Sequence, residues 1–187
     1  MKSVLISIRP KWCELIANGK KTIEVRKTRP KLKAPFTCYI YCTKEEELNL
    51  AIENRTAVVR GDGKIIGEFT CNSISEHWLP YPAYQGELDE KLCEAACVDY
   101  WMLHRYVWSG GKFYGWHISG LTIYDRPMSL GEFHFPPEKY CERQLCGGCP
   151  KDQVMGLDGD YAFDCEWERP LTRPPQSWCY VEEVTDG

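Results

Sequence analysis

The sequence predicts an α+β fold, in which a small mixed β-barrel with packing helices precedes a Cys-rich C-terminal module. Short apolar segments, several with alternating polarity, recur along residues 1–130, and this pattern is typical of strands. Two segments carry apolar residues at helical spacing. Beyond residue 130 aliphatic residues become sparse, and five of the eleven cysteines fall within residues 141–179. We therefore expect two units, residues 1–130 and 131–187.

The predicted strands are short apolar stretches that end at turn residues. They are residues 4–9, 20–27, 36–42, 64–74, 116–124 and 177–184. A first helix begins at Pro10, a residue that suits the first helical turn, and ends at Asn18-Gly19. The longest predicted helix covers residues 89–107, with Asp89 as its cap and Gly110-Gly111 beyond its end. The acidic residues 44–57 are interpreted as a short helix.

Charge is distributed unevenly along the 187 residues. Residues 1–36 hold ten Lys or Arg and two Glu, whereas the whole chain has a net charge of −4. A basic segment on an acidic body attracts anions locally, although a solvated basic face would look the same. No stretch is long or apolar enough to span a bilayer, and the N-terminus does not read as a signal peptide. We therefore expect a cytoplasmic protein with reduced thiols and no membrane partner.

Polar side chains alternate along the second predicted strand. Thr22, Glu24 and Arg26 leave the same face, because successive side chains of a strand point to opposite sides. Lys21 lies beside the preceding turn, and Arg9 ends the neighbouring strand. These groups supply fork-shaped donors and an acceptor, which suit a phosphate and the edge of a base. The alternative is a structural Glu24–Arg26 pair at the rim of the barrel.

The segment SIRPKWCELIANGKKTIEVRK places a strand, a helix, a glycine turn and a second strand in about twenty residues. Its core, GKKTIEVR, resembles the G-x-K-x-x-E-x-R signature of the ASCH domain superfamily. The segments IRPKW, YIYCTK and IIGEFTC also fall where that family has strands, so the resemblance covers about residues 1–128. It implies a PUA-like barrel that binds RNA or a modified nucleotide. The proposed ligand contacts are Arg9, Lys21, Thr22, Glu24 and Arg26.

The resemblance also implies two kinds of hydrolase. Some ASCH proteins look like amidohydrolases acting on N-acetylated cytidine, which places a base at Lys21 and an acid at Glu68. The nucleophile position holds Glu24 instead of Thr, and a carboxylate is a poor nucleophile for an amide. Thr22 could replace it only in a rearranged pocket, whereas Glu24 with Lys21 could activate a water. Other members resemble ribonucleases that also use the motif Lys. Binding without chemistry is the favoured interpretation, and hydrolysis is the alternative.

Aromatic side chains could stack on a base in the same cleft. The candidates are Trp12, Tyr39, Trp78, Tyr81, Tyr84 and Trp116, and core packing is the alternative for each. Tyr81 and Tyr84 lie in a Pro-rich loop, which favours a binding role for them. His117 could also line the cleft or be a structural residue of its strand.

Four cysteines, Cys141, Cys146, Cys149 and Cys165, have the spacing C-x4-C-x2-C-x15-C. A polar segment with few aliphatic residues buries little, so zinc held by thiolates would supply its folding energy. Cys179 competes with Cys141 as the fourth ligand, and unliganded thiols or a redox pair at Cys146 and Cys149 are alternatives. A zinc module could also be the contact surface for a protein partner, which gives a third functional hypothesis.

Overall fold

The computed structural model describes residues 2–50, 55–60, 62–79, 89–108, 111–135 and 170–183, with backbone alone for 45–50, 55–60 and 183. The helices are α1 (Pro10–Ala17), α2 (Glu90–Ala96) and α3 (Tyr100–Val107). The strands are β1 (Ser3–Ile8), β2 (Ile23–Arg26), β3 (Phe36–Cys42), β4 (Glu45–Leu50), β5 (Arg55–Arg60), β6 (Lys64–Trp78), β7 (Lys112–Met128), β8 (Phe133–His134) and β9 (Trp178–Glu183). The predicted α+β class is confirmed.

Seven of the described strands form one mixed sheet in the order β2-β7-β6-β3-β1-β9-β8. Strands β1 and β3 are parallel, and the remaining neighbours are antiparallel. The prediction of a closed barrel is wrong for these strands, because β2 and β8 remain edges of the sheet. Strand β2 is joined to β1 by a side chain instead of a backbone ladder, since Arg26 Nη2 donates to the Ser7 carbonyl oxygen at 2.6 Å.

Two helical predictions differ from the structure. Residues 45–50 and 55–60 form an antiparallel strand pair, with Leu50 opposite Arg55, where a short helix was predicted. The predicted helix over residues 89–107 is divided into α2 and α3. Cys97 ends α2 in the left-handed conformation (φ 53°), and Asp99 begins α3 by accepting a hydrogen bond from the Met102 N–H at 2.7 Å. An N-capping side chain of this kind fixes a helix start.

The described part of the C-terminal segment belongs to the main sheet. Strand β9 pairs antiparallel with β1, and β8 pairs with β9. Val181 and Phe133 are fully buried and pack with Leu5 of β1 in one apolar cluster. The Cys-rich residues between these strands lie outside the described ranges. No helix in the described part of the chain is long and apolar enough to span a membrane.

One apolar cluster holds β2 in place, and a second cluster covers the other side of the sheet. Ile23 and Val25 pack with Leu103 and Val107 of α3 on one side of the sheet. Because side chains alternate along a strand, Glu24 and Arg26 leave the other side. There the sheet carries a second cluster that includes Ile8 of β1. The apolar face of β2 thus anchors the strand and directs its charged face into the space beside β1.

Candidate functional site

A tight connection between α1 and β2 positions the charged residues of the GKKTIEVR segment. Gly19 adopts a positive φ of 74°, which glycine tolerates because it has no Cβ. The Lys21 N–H then donates to the Leu15 carbonyl oxygen at 2.9 Å, so the chain folds back against the helix. This reversal brings the side chain of Lys21 beside those of β2.

Lys21, Glu24 and Arg26 form a buried chain of ion pairs. Lys21 Nζ lies 3.4 Å from Glu24 Oε2, and Arg26 Nη2 lies 3.0 Å from Glu24 Oε1. The three residues are 3%, 6% and 8% exposed. Taking charges out of water is costly unless each one is paired and hydrogen-bonded. One carboxylate here pairs with two cations, so these three side chains together carry a net positive charge.

Further partners fix both cations. Lys21 Nζ donates to the Ala96 carbonyl oxygen at 2.6 Å, at the end of α2. Arg26 donates from Nη2 to the Ser7 carbonyl oxygen, and Arg26 Nη1 lies 3.4 Å from the Ser177 hydroxyl. Arg26 Nε is buried and has no hydrogen-bond partner among the described residues. A buried donor without a partner is uncommon in folded proteins and is costly.

Burial perturbs the protonation of the lysine. It lowers the pKa of the Lys21 ammonium below its usual 10.5, because the charged form loses solvent, and the Glu24 carboxylate opposes this shift. The ammonium also lies 4.9 Å from the centre of the Trp12 ring, where it gains a cation–π contact.

These charged groups line a cavity of about 630 Å³. The lining residues come from β1, α1, β2, α3, the connections beside them, the end of β3 and the segment before β9: Ser7, Ile8, Arg9, Trp12, Lys21, Glu24, Val25, Arg26, Thr43, Val98, Met102, Leu103, Tyr106, Pro174, Pro175, Gln176 and Ser177. Glu24 is the acidic residue of this lining, whereas Arg9, Lys21 and Arg26 are basic. The cavity therefore has the charge that an anionic ligand requires and two aromatic rings, Trp12 and Tyr106.

The structure brings five of the residues proposed from sequence together in this lining: Arg9, Trp12, Lys21, Glu24 and Arg26. Thr22 is exposed and outside the lining. It precedes β2, and its backbone is held by Ala95 and Ile118, since the Thr22 N–H donates to Ala95 and the Thr22 carbonyl accepts from Ile118.

Glu68 and His117 also lie outside the lining. Glu68 is on β6, where its Oε2 accepts a hydrogen bond from the Tyr124 hydroxyl at 2.9 Å. His117 Nε2 lies 3.0 Å from the Ser75 hydroxyl on the neighbouring strand. Two candidate stacking residues, Tyr39 and Trp116, are buried in the core, and Trp78 is exposed away from the cavity lining.

Several residues proposed from sequence lie outside the described residues. They are Tyr81, Tyr84, Cys141, Cys146, Cys149 and Cys165. Cys179 is described, in β9 opposite Leu5, and burial raises the pKa of its thiol to about 12. Within the described ranges, no group of three or more His, Cys, Asp or Glu could hold a metal ion.

Sequence reasoning did not identify several residues of the cavity wall. The Ser7 N–H donates to the carbonyl oxygen of Ser177, just before β9, at 2.9 Å, and the Ser7 hydroxyl donates to the Pro175 carbonyl at 2.6 Å. Residues separated by this much sequence carry no local signal of their contact. Met102 and Tyr106 lie four residues apart in a predicted helix, so a shared face could have been read from their spacing.

The sequence and the fold of this chain are similar to those of known proteins. The ASCH domain family model matches residues 6–100. The crystal structure of ASCH from Zymomonas mobilis is similar with a TM-score of 0.55 and 17% identity, over 96% of this chain and 87% of that one. A Tyr-to-Phe variant of that Zymomonas mobilis protein gives 0.54 and 16%, over 97% and 91%. At such identities the likeness concerns the fold, and a search of curated proteins found no match. Because the family model spans half of its residues, this chain belongs to the ASCH domain family.

Proposed function

We propose that the cavity beside β2 binds RNA or a modified nucleotide, with the phosphate at the Lys21–Glu24–Arg26 chain. The observation that supports this most directly is that two buried cations of the cavity lining, Lys21 and Arg26, share the single carboxylate of Glu24. A guanidinium offers five N–H donors in a plane and suits the bidentate recognition of phosphate. A phosphate beside these two cations would balance the excess positive charge.

The position of Glu24 supports binding in a second way. Its carboxylate contacts both cations, at 3.4 Å and 3.0 Å, and so holds them before a ligand arrives. Preorganised cations lose less side-chain entropy on binding, which increases affinity. Glu24 therefore orients the cations in this proposal and does not contact the phosphate, since two anions would repel each other.

The walls of the cavity suit the remainder of a nucleotide. Its volume of about 630 Å³ falls in the range that is typical of small-ligand sites. Trp12 and Tyr106 supply rings on which a base can stack. ASCH domains are generally RNA-binding, which favours RNA and its nucleotides over other phosphate esters.

Binding of cytidine monophosphate and of a short RNA, measured by calorimetry, tests the proposal. We expect Arg26→Lys to weaken both by about tenfold or more, because a lysine cannot replace the guanidinium fork. Tyr106→Ala is a second variant, on an exposed ring whose loss leaves the buried ions intact. Lys112→Met removes an exposed cation outside the cavity and is the matched control. Equal affinities for all four proteins would refute the proposed site.

Hydrolysis is a second candidate, and the lowered pKa of Lys21 favours it, since a more readily deprotonated amine is a better base at neutral pH. Glu68 lies outside the cavity lining, so Lys21 and Glu24 would have to activate a water without it. Incubation of labelled RNA or N-acetylcytidine with excess protein tests this. If the wild type converts either substrate and Lys21→Met does not, the protein is an enzyme. If the wild type leaves both substrates unchanged, the binding function stands without catalysis.

A further inference from the structure

Helix α3 carries an aromatic and basic stripe on its outer side. Trp101 is 66% exposed and Trp108, which follows the last turn, is 74% exposed. Arg105, also exposed, lies four residues after Trp101 on the same helix face, and Trp108 caps the helix three residues further on. Tryptophan is rarely left so accessible, and exposed apolar groups rimmed by polar ones are typical of interaction sites.

This stripe is continuous with the wall of the cavity. Met102 and Tyr106 each follow a stripe residue by one position, and both line the cavity. Leu103 and Val107, one position further, are buried against β2. The part of α3 that lines the cavity therefore lies between its buried side and the Trp101–Arg105–Trp108 stripe.

The chemistry of the stripe matches a single strand of nucleic acid better than an apolar partner. Rings and a cation alternate along it, as bases and phosphates alternate along a strand. A second cation lies at the junction with the cavity, where Lys27 Nζ is 4.9 Å from the centre of the Tyr106 ring. A rise of about 1.5 Å per helical residue separates Trp101 from Arg105 by roughly 6 Å, which leaves room for separate contacts.

We propose that single-stranded RNA continues from the nucleotide in the cavity over Met102 and Tyr106 onto this stripe, with bases stacked on Trp101 and Trp108 and a phosphate on Arg105. This inference rests on the proposed function of the cavity, and it extends that function from one nucleotide to a strand. The stripe discriminates against duplex RNA, whose bases are stacked on each other and closed to the tryptophan rings.

The test compares cytidine monophosphate, a single-stranded RNA octamer of mixed sequence and the same octamer in a duplex, by fluorescence anisotropy and competition. We expect Trp101→Ala and Trp108→Ala each to weaken octamer binding by about tenfold, because one base loses its stacking partner. Binding of cytidine monophosphate should change less than about twofold, since neither residue lines the cavity. Trp101→Phe should restore most of the octamer affinity.

Trp78→Ala is the matched control, because Trp78 is 62% exposed but belongs to another face. Leu79 and Phe113 pack with α3 on one side of the sheet. Their sequence neighbours Trp78 and Lys112 are paired across β6 and β7 and point to the opposite side, because side chains alternate along a strand. Unchanged octamer affinity in the Trp101→Ala, Trp108→Ala double variant would overturn the inference and leave the cavity proposal standing. Equal losses of affinity for the octamer and for cytidine monophosphate would also overturn the inference. If the wild type binds neither ligand, both the inference and the cavity proposal are refuted.

A second copy of this chain is the competing occupant of the stripe. Sedimentation of the wild type and the double variant distinguishes it. Self-association that the double variant abolishes, with RNA affinity unchanged, would contradict the inference. A monomer in both cases, together with the selective loss of octamer binding, would support it.

Discussion

Replacement of Glu24 by glutamine tests the buried ion chain. Glu24→Gln keeps the size and shape of the side chain but removes the charge that pairs with Lys21 and Arg26. Both cations are at most 8% exposed, so solvent cannot compensate for the loss. Removing one member of a buried ion pair costs roughly 3–5 kcal/mol. For a protein of this size, that corresponds to a fall in melting temperature of about 6–20 °C.

Differential scanning calorimetry measures this effect, and Glu76→Gln is the matched control. Glu76 Oε2 lies only 2.7 Å from Lys112 Nζ, closer than either contact of Glu24, but this pair is about 40% exposed. Exposed pairs gain little because water screens them, so we expect almost no change in melting temperature. Equal shifts in the two variants, or a larger shift for Glu76→Gln, would refute the argument from burial.

Three further predictions concern protonation, metal and packing. Burial lowers the pKa of Lys21 below 10.5, so between the folded-state pKa and 10.5 the unfolded protein holds a proton that the folded protein has released. The free energy of unfolding of the wild type, relative to that of Lys21→Met, should therefore rise with pH in this range. Urea titrations in which this difference stays flat or falls with pH would contradict the argument. Elemental analysis should find about one zinc per chain and less in Cys146→Ser, whereas under half an equivalent in the wild type would count against the proposed zinc site. In Gly67→Ala the added Cβ would clash with the Thr122 carbonyl oxygen of β7, which should lower the free energy of unfolding by about 1–3 kcal/mol in denaturant titrations. Gly131→Ala has room for the Cβ and should leave that free energy unchanged, and equal stability of the two variants would contradict the packing.

The local part of the site was predictable from sequence. Alternation along a strand places Glu24 and Arg26 on one face, and the structure joins them at 3.0 Å. The same reasoning placed Thr22 with them, but β2 begins at Ile23, and the backbone of Thr22 serves other elements. An alternating pattern predicts a face of a strand only within the strand's actual bounds.

The long-range part of the site was not predictable. Ser177 approaches Arg26 across 151 residues of sequence, because β9 adds to the edge of β1. The helix break at Cys97 carried a readable signal in the capping residue Asp99, but the apolar stripe of residues 89–107 concealed it. Arg26 joins β2 to β1 through its side chain, and no pattern in the sequence distinguishes this from a closed barrel.

Chemical-shift mapping in solution tests the central claim most directly. The backbone amides of the protein are followed by NMR while cytidine monophosphate or an RNA octamer is added. We expect the largest shifts at Lys21, at residues 24–26, at Ser177 and at Tyr106, because these residues line the cavity. Shifts that saturate on another surface and leave Lys21 and Arg26 unaffected would contradict the account.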